Sequence, residues 1–295
     1  MHLPSAAVLF ATALSGVAAH PSMGHRHANL HRAVEARSNK FIKFDPPAES
    51  TPTPTPTPTP SPTPTPSSSD DDDDDSYEEE DKPSGEKQDF CSGKKKRATT
   101  YDIAYAGNLG AEGDWGCNIM EVDCGITDLY DYYAEFSAAG GDTYSCSAFN
   151  KIGPEGKIDG FWHSALDFQV KKGGKVCIAF DKDSQGGIAC GKGSDGPPKT
   201  SNGQLAGTWC EFDFGSGKNG AQSGADVSTI VADTQGGKDG IIAMSIDAPG
   251  KGTCSHLSLE NPGDSFEVYR GGMEDEDGVG CKGYSKGGIT VTLGE

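Results

Sequence analysis

The sequence predicts an all-β domain, a disulfide-stapled antiparallel β-sandwich with one short helix, preceded by a disordered N-terminal region. Short runs rich in β-branched and aromatic residues recur through the second half of the chain, as they do in strands. Gly-Gly pairs separate many of these runs, which suits tight turns. The chain also has nine cysteines, enough for several disulfides if it is exported.

The first 19 residues have the pattern of a signal peptide. A short apolar stretch is followed by Val17, Ala18 and Ala19, small residues after which signal peptidase cuts. The stretch is too short to cross a bilayer, so removal after Ala19 is favoured over a membrane anchor. We therefore expect a secreted protein, in the extracellular space or the cell wall.

Residues 20–97 are predicted to be disordered. A leader rich in His and Arg is followed by a Thr-Pro repeat over 51–66 and an acidic block over 70–80. The repeat favours extended polyproline II, and the acidic block repels itself. The basic run 94–97 ends in Lys96-Arg97 and is interpreted as a processing site that makes the region a pro-segment. The alternative is that the run stays uncut and Cys91 tethers the linker to the domain.

Cutting after Arg97 leaves an even number of cysteines, which favours four disulfides among them. The cysteines predicted to pair in this way are Cys117, Cys124, Cys146, Cys177, Cys190, Cys210, Cys254 and Cys281.

Residues 98–295 form the predicted β-rich domain. One stretch, 126–136, has helical spacing that places Leu129, Tyr133 and Phe136 on one face, and it is the predicted helix. The predicted strands are 101–105, 118–123, 144–149, 165–170, 176–181, 208–214, 227–231, 241–246, 266–269 and 289–293.

Charge limits the partners. The chain has 44 acidic and 25 basic residues and a net charge of −19. Such a surface repels nucleic acid and anionic lipid. Neutral or cationic partners remain, and a neutral polysaccharide of the cell wall is the most natural of them. We expect a monomer without a cofactor or a metal.

The candidate site is the stretch 208–214, Thr-Trp-Cys-Glu-Phe-Asp-Phe. Side chains alternate faces along a strand, so Trp209, Glu211 and Asp213 are predicted to share the face opposite the core. Asp226 opens the next strand and joins this face if the two strands pair. An indole beside carboxylates suits sugar binding. The alternative is an outward acidic face that only keeps the protein soluble.

The sequence leaves two enzymatic alternatives. Paired carboxylates are the requirement for glycosidic hydrolysis, with Glu211 as the general acid and Asp226 as the base or nucleophile. A copper polysaccharide monooxygenase needs a fixed N-terminal His, but His20 is followed by a long stretch of predicted disorder. The domain itself contains only His163 and His256, so the copper enzyme is the least favoured hypothesis.

Several phrases of this sequence resemble the fungal allergen Asp f 4-like family. They are Tyr-Ala-Gly-Asn-Leu-Gly at 105–110, Trp-Gly-Cys-Asn-Ile-Met-Glu-Val at 115–122, Phe-Asn-Lys-Ile-Gly-Pro-Glu-Gly at 149–156, Ala-Phe-Asp-Lys-Asp-Ser-Gln-Gly at 179–186 and the candidate stretch at 208–214. The resemblance implies a secreted fungal protein, with recognition by host IgE, and it offers no catalytic residues.

A second resemblance, over residues 176–246, is to thaumatin-like proteins, β-sandwiches whose acidic cleft binds β-1,3-glucan and sometimes hydrolyses it. It implies that Glu211 and Asp226 match two cleft carboxylates. The arginine expected before Cys177 is absent, with Lys175 nearby, and the cysteine framework is smaller. The hypothesis is therefore non-catalytic binding of β-glucan, with a hydrolase or a structural wall protein as alternatives.

Overall fold

The computed structural model describes residues 85–93, 107–217 and 219–294. The predicted signal peptide with Ala19, most of the predicted disordered region, the Lys96-Arg97 site and the predicted strand 101–105 lie outside the described residues.

The described residues form fifteen strands, one α-helix and five short 3-10 helices. The strands are β1 (Gly110–Ala111), β2 (Asp114–Trp115), β3 (Ile119–Val122), β4 (Tyr132–Ala138), β5 (Tyr144–Asn150), β6 (Leu166–Val170), β7 (Lys175–Phe180), β8 (Ser184–Lys192), β9 (Thr208–Ser216), β10 (Gln222–Ser228), β11 (Met244–Ala248), β12 (Gly252–Leu257), β13 (Val268–Tyr269), β14 (Cys281–Tyr284) and β15 (Gly287–Leu293). The α-helix is α1 (Ile230–Gln235), and the 3-10 helices are Phe90–Gly93, Cys124–Leu129, Gly160–Trp162, Lys238–Gly240 and Pro262–Asp264.

Two large sheets build the domain. One has seven strands in the order β13-β10-β9-β8-β5-β6, with β14 also paired to β10, and the other has six in the order β12-β11-β15-β4-β7-β3. Most neighbours are antiparallel, as predicted, but β15 with β4 and β10 with β13 are parallel. The predicted all-β sandwich is confirmed, with mixed rather than purely antiparallel sheets.

The core lies between the facing sides of the two sheets. Phe136 on β4 and Phe180 on β7 come from the six-stranded sheet, whereas Phe212 and Phe214 on β9 come from the other. The rings of Phe180 and Phe212 are 4.7 Å apart. Burial of these side chains leaves the opposite side of the seven-stranded sheet as a second face, which the loops cover.

The predicted helix over 126–136 is wrong. A 3-10 helix ends at Leu129, and β4 begins at Tyr132. The strand β4 pairs with both β15 and β7, so Phe136 reaches the core from a strand. The predicted strand over 227–231 is also wrong at its end, because the chain enters α1 at Ile230. The structure adds β1, β2, β4, β8, β12 and β14, which the sequence did not predict.

The disulfides correct the predicted cysteine set. The bonds are Cys91–Cys117, Cys124–Cys177, Cys146–Cys190 and Cys254–Cys281. Cys210 is free and buried, because its side chain points into the core between the sheets. The predicted pairing of Cys210 is therefore wrong, because Cys210 keeps a free thiol. Cys91 pairs with Cys117 in its place and belongs to the domain.

Residues 85–93 pack on the domain although they were predicted to be disordered. The Phe90 ring meets the Tyr130 ring edge-on at 5.8 Å. The backbone N–H of Gln88 donates to the Tyr130 hydroxyl at 2.9 Å, and Cys91 is bonded to Cys117. The domain therefore includes this segment, which was assigned to the linker.

Candidate functional site

The predicted site residues do share one face. In the pairing of β9 with β10, Asp226 lies opposite Glu211 and Ser228 lies opposite Trp209. Asp213 is two residues beyond Glu211 on β9, so it projects from the same side of the sheet. This is the outer side of the seven-stranded sheet, away from the core that Phe212 and Phe214 enter. The predicted alternation and the pairing with Asp226 are confirmed.

The expectation that this face is open is wrong. Glu211 and Asp213 are 1% exposed, Asp226 is 0% exposed and Trp209 is 2% exposed. The indole of Trp209 packs on Phe149, with ring centroids 5.0 Å apart, and its N–H donates to the Ala206 carbonyl at 3.2 Å. Trp209 is therefore a core residue of the covering layer rather than a platform for a sugar. The acidic side chains are also shielded from solvent, so they do not form an outward acidic face.

Two groups of residues cover the face. Trp209 packs within a small apolar cluster. The other members of this cluster are Phe149, Phe161, Ala189, Leu205, Ala206 and Val231. Over Asp226 passes the chain between β13 and β14. Its Gly280 has φ +92°, and an added Cβ there would lie 2.5 Å from the Asp226 Cβ. That close approach requires glycine and leaves no room for solvent above the carboxyl group.

The covering chain between β13 and β14 is held at its start by Asp233 on α1. One carboxylate oxygen accepts hydrogen bonds from Arg270 Nε at 3.0 Å, Gly271 N at 3.1 Å and Thr229 Oγ1 at 2.8 Å. Partial burial raises the pKa of this carboxyl, but the three donors outweigh burial and the pKa is lowered. We call this contact the Asp233 latch.

Burial sets the protonation of the acidic residues. It raises the pKa of Glu211 to about 8, against the hydroxyl of Ser228 and the charge of Lys151, which favour ionisation. Burial, followed by the nearby Glu211, raises the pKa of Asp226 well above its ordinary value. Burial also raises the pKa of Asp213 to about 6. Glu211 thus keeps its proton at neutral pH, as a general acid must, but no substrate reaches it in this sealed position.

An open groove lies on the same side of the sheet, over β5 and β6. It has a volume of about 810 Å³, and its lining includes Trp162, His163, Asp167, Gln169 and Pro197. Asp167 and Gln169 are exposed on β6, and Trp162 is half-buried. No local sequence pattern predicts this groove, because its lining comes from two strands and two separate loops. The signal available was the Trp162-His163 pair close to Asp167.

A hydrogen-bonded cluster forms part of the groove lining. Ser147 Oγ and Ser164 Oγ each donate to Asp167 Oδ1, both at 2.6 Å, and the two hydroxyls are 2.8 Å apart. The second carboxylate oxygen of Asp167 is on an exposed side chain, so it is placed to accept hydrogen bonds from a ligand. The groove thus combines a carboxylate acceptor with the indole of Trp162.

The histidines have structural neighbours. The ring of His163 meets Trp115 edge-on at 5.8 Å, and the ring of His256 lies 5.7 Å from that of Phe266. Within residues 85–93, 107–217 and 219–294, no group of three or more His, Cys, Asp and Glu side chains is arranged to hold a metal ion. His20 lies outside those residues. No helix of the described segments is long and apolar enough to span a bilayer.

The fold and site define a disulfide-bonded β-sandwich with a sealed acidic layer and an adjacent open polar groove. The Allergen Asp f 4-like domain matches residues 117–293, so the chain belongs to the family that this domain defines. One relative is Allergen Asp f 4 of Aspergillus fumigatus, which is 34% identical over 187 residues, 61% of this chain and 54% of the relative. The chain therefore matches about half the length of that relative.

Solved structures give only distant likenesses. The protein elicitor MoHrip2 of Magnaporthe oryzae matches with a TM-score of 0.36 and 16% identity, over 56% of this chain and 99% of its own. IP-1A of Alcaligenes faecalis matches with a TM-score of 0.21 and 9% identity, over 58% of this chain and 96% of its own. Neither likeness carries an argument, and the thaumatin-like topology stays a prediction.

Proposed function

We propose that this chain is a secreted, non-catalytic binder of a neutral wall polysaccharide, with β-glucan as the first candidate, and that the sugar lies in the groove beside Trp162. The observation that carries this proposal is the lining of that groove. A half-buried indole beside exposed carboxylate and amide side chains suits a sugar ring, which has an apolar face and a rim of hydroxyls. The volume of about 810 Å³ falls in the usual range for ligand sites.

The charge and the disulfides support the same proposal. A net charge of −19 leaves a neutral polymer as a partner that it does not repel. Four disulfides are typical of proteins that work in an oxidising compartment outside the cell. The relative named as an allergen leads us to propose recognition by host IgE as well. Such recognition would describe how a host meets the protein rather than what the protein does.

The groove replaces the face predicted from the sequence as the binding surface. The side chains of Trp209, Glu211, Asp213 and Asp226 are sealed, whereas Asp167 and Gln169 are exposed. For the same reason a hydrolase based on Glu211 and Asp226 is less well supported, since a glycan has no path to the pair while the cover is closed. A structural wall protein without a ligand is the remaining alternative.

The experiment is co-sedimentation of the purified protein with insoluble β-1,3-glucan and, separately, with chitin. Pelleted protein and released soluble sugar are both measured. We expect protein in the glucan pellet, no soluble product, and a loss of pelleting in Trp162→Ala by tenfold or more. Asp167→Asn should weaken pelleting to a smaller extent, because an amide keeps one acceptor oxygen.

The matched control is Phe266→Ala. Phe266 is an exposed aromatic residue, 45% accessible, beside β13 at the opposite edge of the same sheet. It should pellet like the unmodified protein. Equal pelleting of Trp162→Ala and Phe266→Ala would contradict the groove as the site. Soluble sugar that disappears in Glu211→Gln would establish the hydrolase, and protein left in the supernatant with both polymers would favour the structural alternative.

A further inference from the structure

Two Asn-Gly sequences lie in turns at the ends of β9. Asn202-Gly203 comes before β9, and Asn219-Gly220 lies in the turn between β9 and β10. In such a sequence the backbone nitrogen of the glycine can attack the preceding side-chain amide, because glycine has no side chain to hinder the approach. The two dipeptides are identical, so the sequence assigns them the same reactivity. Their hydrogen bonds in the structure differ.

The attacking nitrogen of the first dipeptide is already engaged. The backbone N–H of Gly203 donates to the Thr200 carbonyl at 2.9 Å, and the side-chain oxygen of Asn202 accepts a hydrogen bond from the Thr200 hydroxyl. The backbone N–H of Thr200 in turn donates to the Gln204 carbonyl at 2.8 Å, which closes the turn. Attack by the Gly203 nitrogen would break contacts that stabilise this turn. Asn202 is therefore protected although it is exposed.

The attacking nitrogen of the second dipeptide is free. The turn is held by hydrogen bonds from Asn219 N and Ala221 N to the Ser216 carbonyl, at 3.0 and 2.9 Å, and from Gln222 N to the Asn219 carbonyl at 3.1 Å. The N–H of Gly220 has no acceptor among the residues that the structure describes. Gly220 is exposed, and apart from its chain neighbours no atom lies within 4 Å of a Cβ built on it. Its nitrogen can therefore lose a proton to solvent and attack without breaking a hydrogen bond of its own.

The Asn219 amide contacts the sealed acidic layer. Its Nδ2 donates to Asp213 Oδ2 at 3.1 Å, and Asp213 is only 1% exposed. Burial raises the pKa of Asp213 to about 6, and the nearby Asp183 raises it too, whereas Lys151 lowers it. Conversion of the amide to an acid would replace a hydrogen-bond donor by a second carboxylate. Like charges repel strongly where solvent screens them poorly, so a change at Asn219 would be felt within the layer.

We propose that Asn219 is a site of spontaneous deamidation that loosens the sealed acidic layer as the protein ages, and that Asn202 is spared. The backbone nitrogen of Gly220 loses its proton to hydroxide and attacks Cγ of Asn219. A C–N bond forms, the Cγ–Nδ2 bond breaks, and the departing nitrogen takes a proton from water and leaves as ammonia. Water then opens the succinimide ring to aspartate or isoaspartate. No electrons are transferred, and water is the only co-reactant.

Both products disturb the end of the β9–β10 hairpin. Aspartate places a negative charge where Asp213 had a donor. Isoaspartate in addition lengthens the backbone by one carbon, which displaces the turn hydrogen bonds to Ser216 and from Gln222. The open groove lies over β5 and β6, away from this turn, so the inference does not depend on sugar binding.

The test of the site is peptide mapping of the purified full-length protein during incubation in mildly alkaline buffer. Digestion with pepsin in acid prevents loss of amides during the digest. We expect the peptide containing Asn219 to gain the mass of an amide converted to an acid about tenfold faster than the peptide containing Asn202, because the Gly203 hydrogen bond opposes the second reaction. An isoaspartyl methyltransferase should label the first peptide. In Asn219→Gln the mass gain should disappear, since the longer side chain closes a ring far more slowly.

The effect on the acidic layer is tested with Asn219→Asp, and Asn202→Asp is the matched control. Amide exchange over residues 213–224 at neutral pH should be about tenfold faster in Asn219→Asp, because the hairpin end has lost a hydrogen bond and gained a repulsion. It should be unaltered in Asn202→Asp. Unaltered exchange in Asn219→Asp would reject the link to the acidic layer.

Equal rates of mass gain at the two asparagines, or a faster gain at Asn202, would overturn the proposal. So would an unmodified protein in which both peptides keep their mass through the incubation. Peptide mapping of the unmodified protein decides these outcomes even if Asn219→Asp does not fold.

Discussion

Asp226 lies directly opposite Glu211 in the pairing of β9 with β10, and both carboxyl groups are cut off from water. Two ionised carboxylates on directly opposite residues of adjacent strands would repel each other strongly, because the buried surroundings screen their charges poorly. The pair is therefore stable only when at least one member is protonated. Protonation within this layer therefore contributes to the pH dependence of the protein's stability.

The first prediction concerns Asp213, whose pKa is raised by burial to about 6. A carboxyl with a raised pKa binds its proton more tightly in the folded state, so its contribution to stability falls as pH rises from its unfolded value, about 3.9, towards 6. The slope in that window is about 1.4 kcal/mol per pH unit at most. Asp213→Asn should remove this part of the slope, measured by denaturant unfolding at a series of pH values.

The control for Asp213→Asn is Asp128→Asn, a change at an exposed carboxylate on the Cys124–Leu129 helix. It should leave the pH slope unaltered. An unchanged slope in Asp213→Asn would mean that Asp213 is solvated in solution and that the cover above it is open.

A second prediction is that the protein contains one free thiol that reacts only after unfolding. Cys210 is the one unpaired cysteine, and all nine cysteines fall within the described residues. Burial, followed by Asp226 and Glu211, raises the pKa of its thiol, which further suppresses the reactive thiolate. A thiol-specific chromogenic reagent should count no thiol in native protein and one in guanidinium chloride. Cys210→Ala should give none, and a count of zero in the unfolded unmodified protein would contradict the pairing.

The third prediction concerns Gly187 in the middle of β8. A Cβ at this position would lie 2.6 Å from the tip of the Phe149 ring, so Gly187→Ala should displace that ring from Trp209. We expect a loss of about 1 to 3 kcal/mol, the usual cost of overpacking, measured by equilibrium unfolding. Gly263→Ala is the matched control, because nothing lies near its added Cβ. A loss as large in the control would show that the effect does not come from the packing of Phe149.

The fourth prediction is that the Asp233 latch controls the cover over Asp226. Asp233→Asn removes the charge that three donors share, and we expect the local opening free energy to fall by about 1 kcal/mol. Amide exchange at Val279 and Gly280 should then accelerate. Because the Asp233 pKa is lowered, its contribution is present above the ordinary carboxyl pKa and is lost as pH falls through the lowered value. The protection factor at these two amides, which compares the observed exchange rate with the intrinsic rate at the same pH, should therefore fall in the unmodified protein in acid.

The control for the Asp233 latch is Lys286→Ala, which breaks an exposed ion pair with Asp131 at 2.9 Å. It should leave exchange at Val279 and Gly280 as it was. Slow exchange in Asp233→Asn would show that other contacts hold the cover closed.

The sequence was sufficient for the face of each residue in β9 but not for its burial. Alternation along a strand is local, so the shared face of Trp209, Glu211 and Asp213 follows from their spacing. What covers that face comes from residues around 160, 205 and 280, and no local pattern reports it. The charged composition suggested solvent exposure, whereas the fold buried part of that charge.

The errors in secondary structure have similar causes. The spacing of Leu129, Tyr133 and Phe136 fits a helix, but pairing of β4 with two neighbours outweighed that local preference. The sequence does not predict β8, because glycines interrupt its pattern at 186 and 187. At these two positions the neighbouring strand β5 comes close through Phe149. The even number of cysteines after Arg97 did not predict the pairing, because the Cys210 thiol serves as a small apolar core residue.

The bond between Cys91 and Cys117 spans 26 residues, and the basic run at 94–97 lies within that span. If a protease cuts after Arg97, the two products remain one molecule, because the disulfide joins the polypeptides on either side of the cut. The N-terminal part then travels as a second chain instead of leaving as a discarded pro-segment. Its release would require a reductant as well as a protease, so the redox state of the surroundings would decide when the domain loses its N-terminal region.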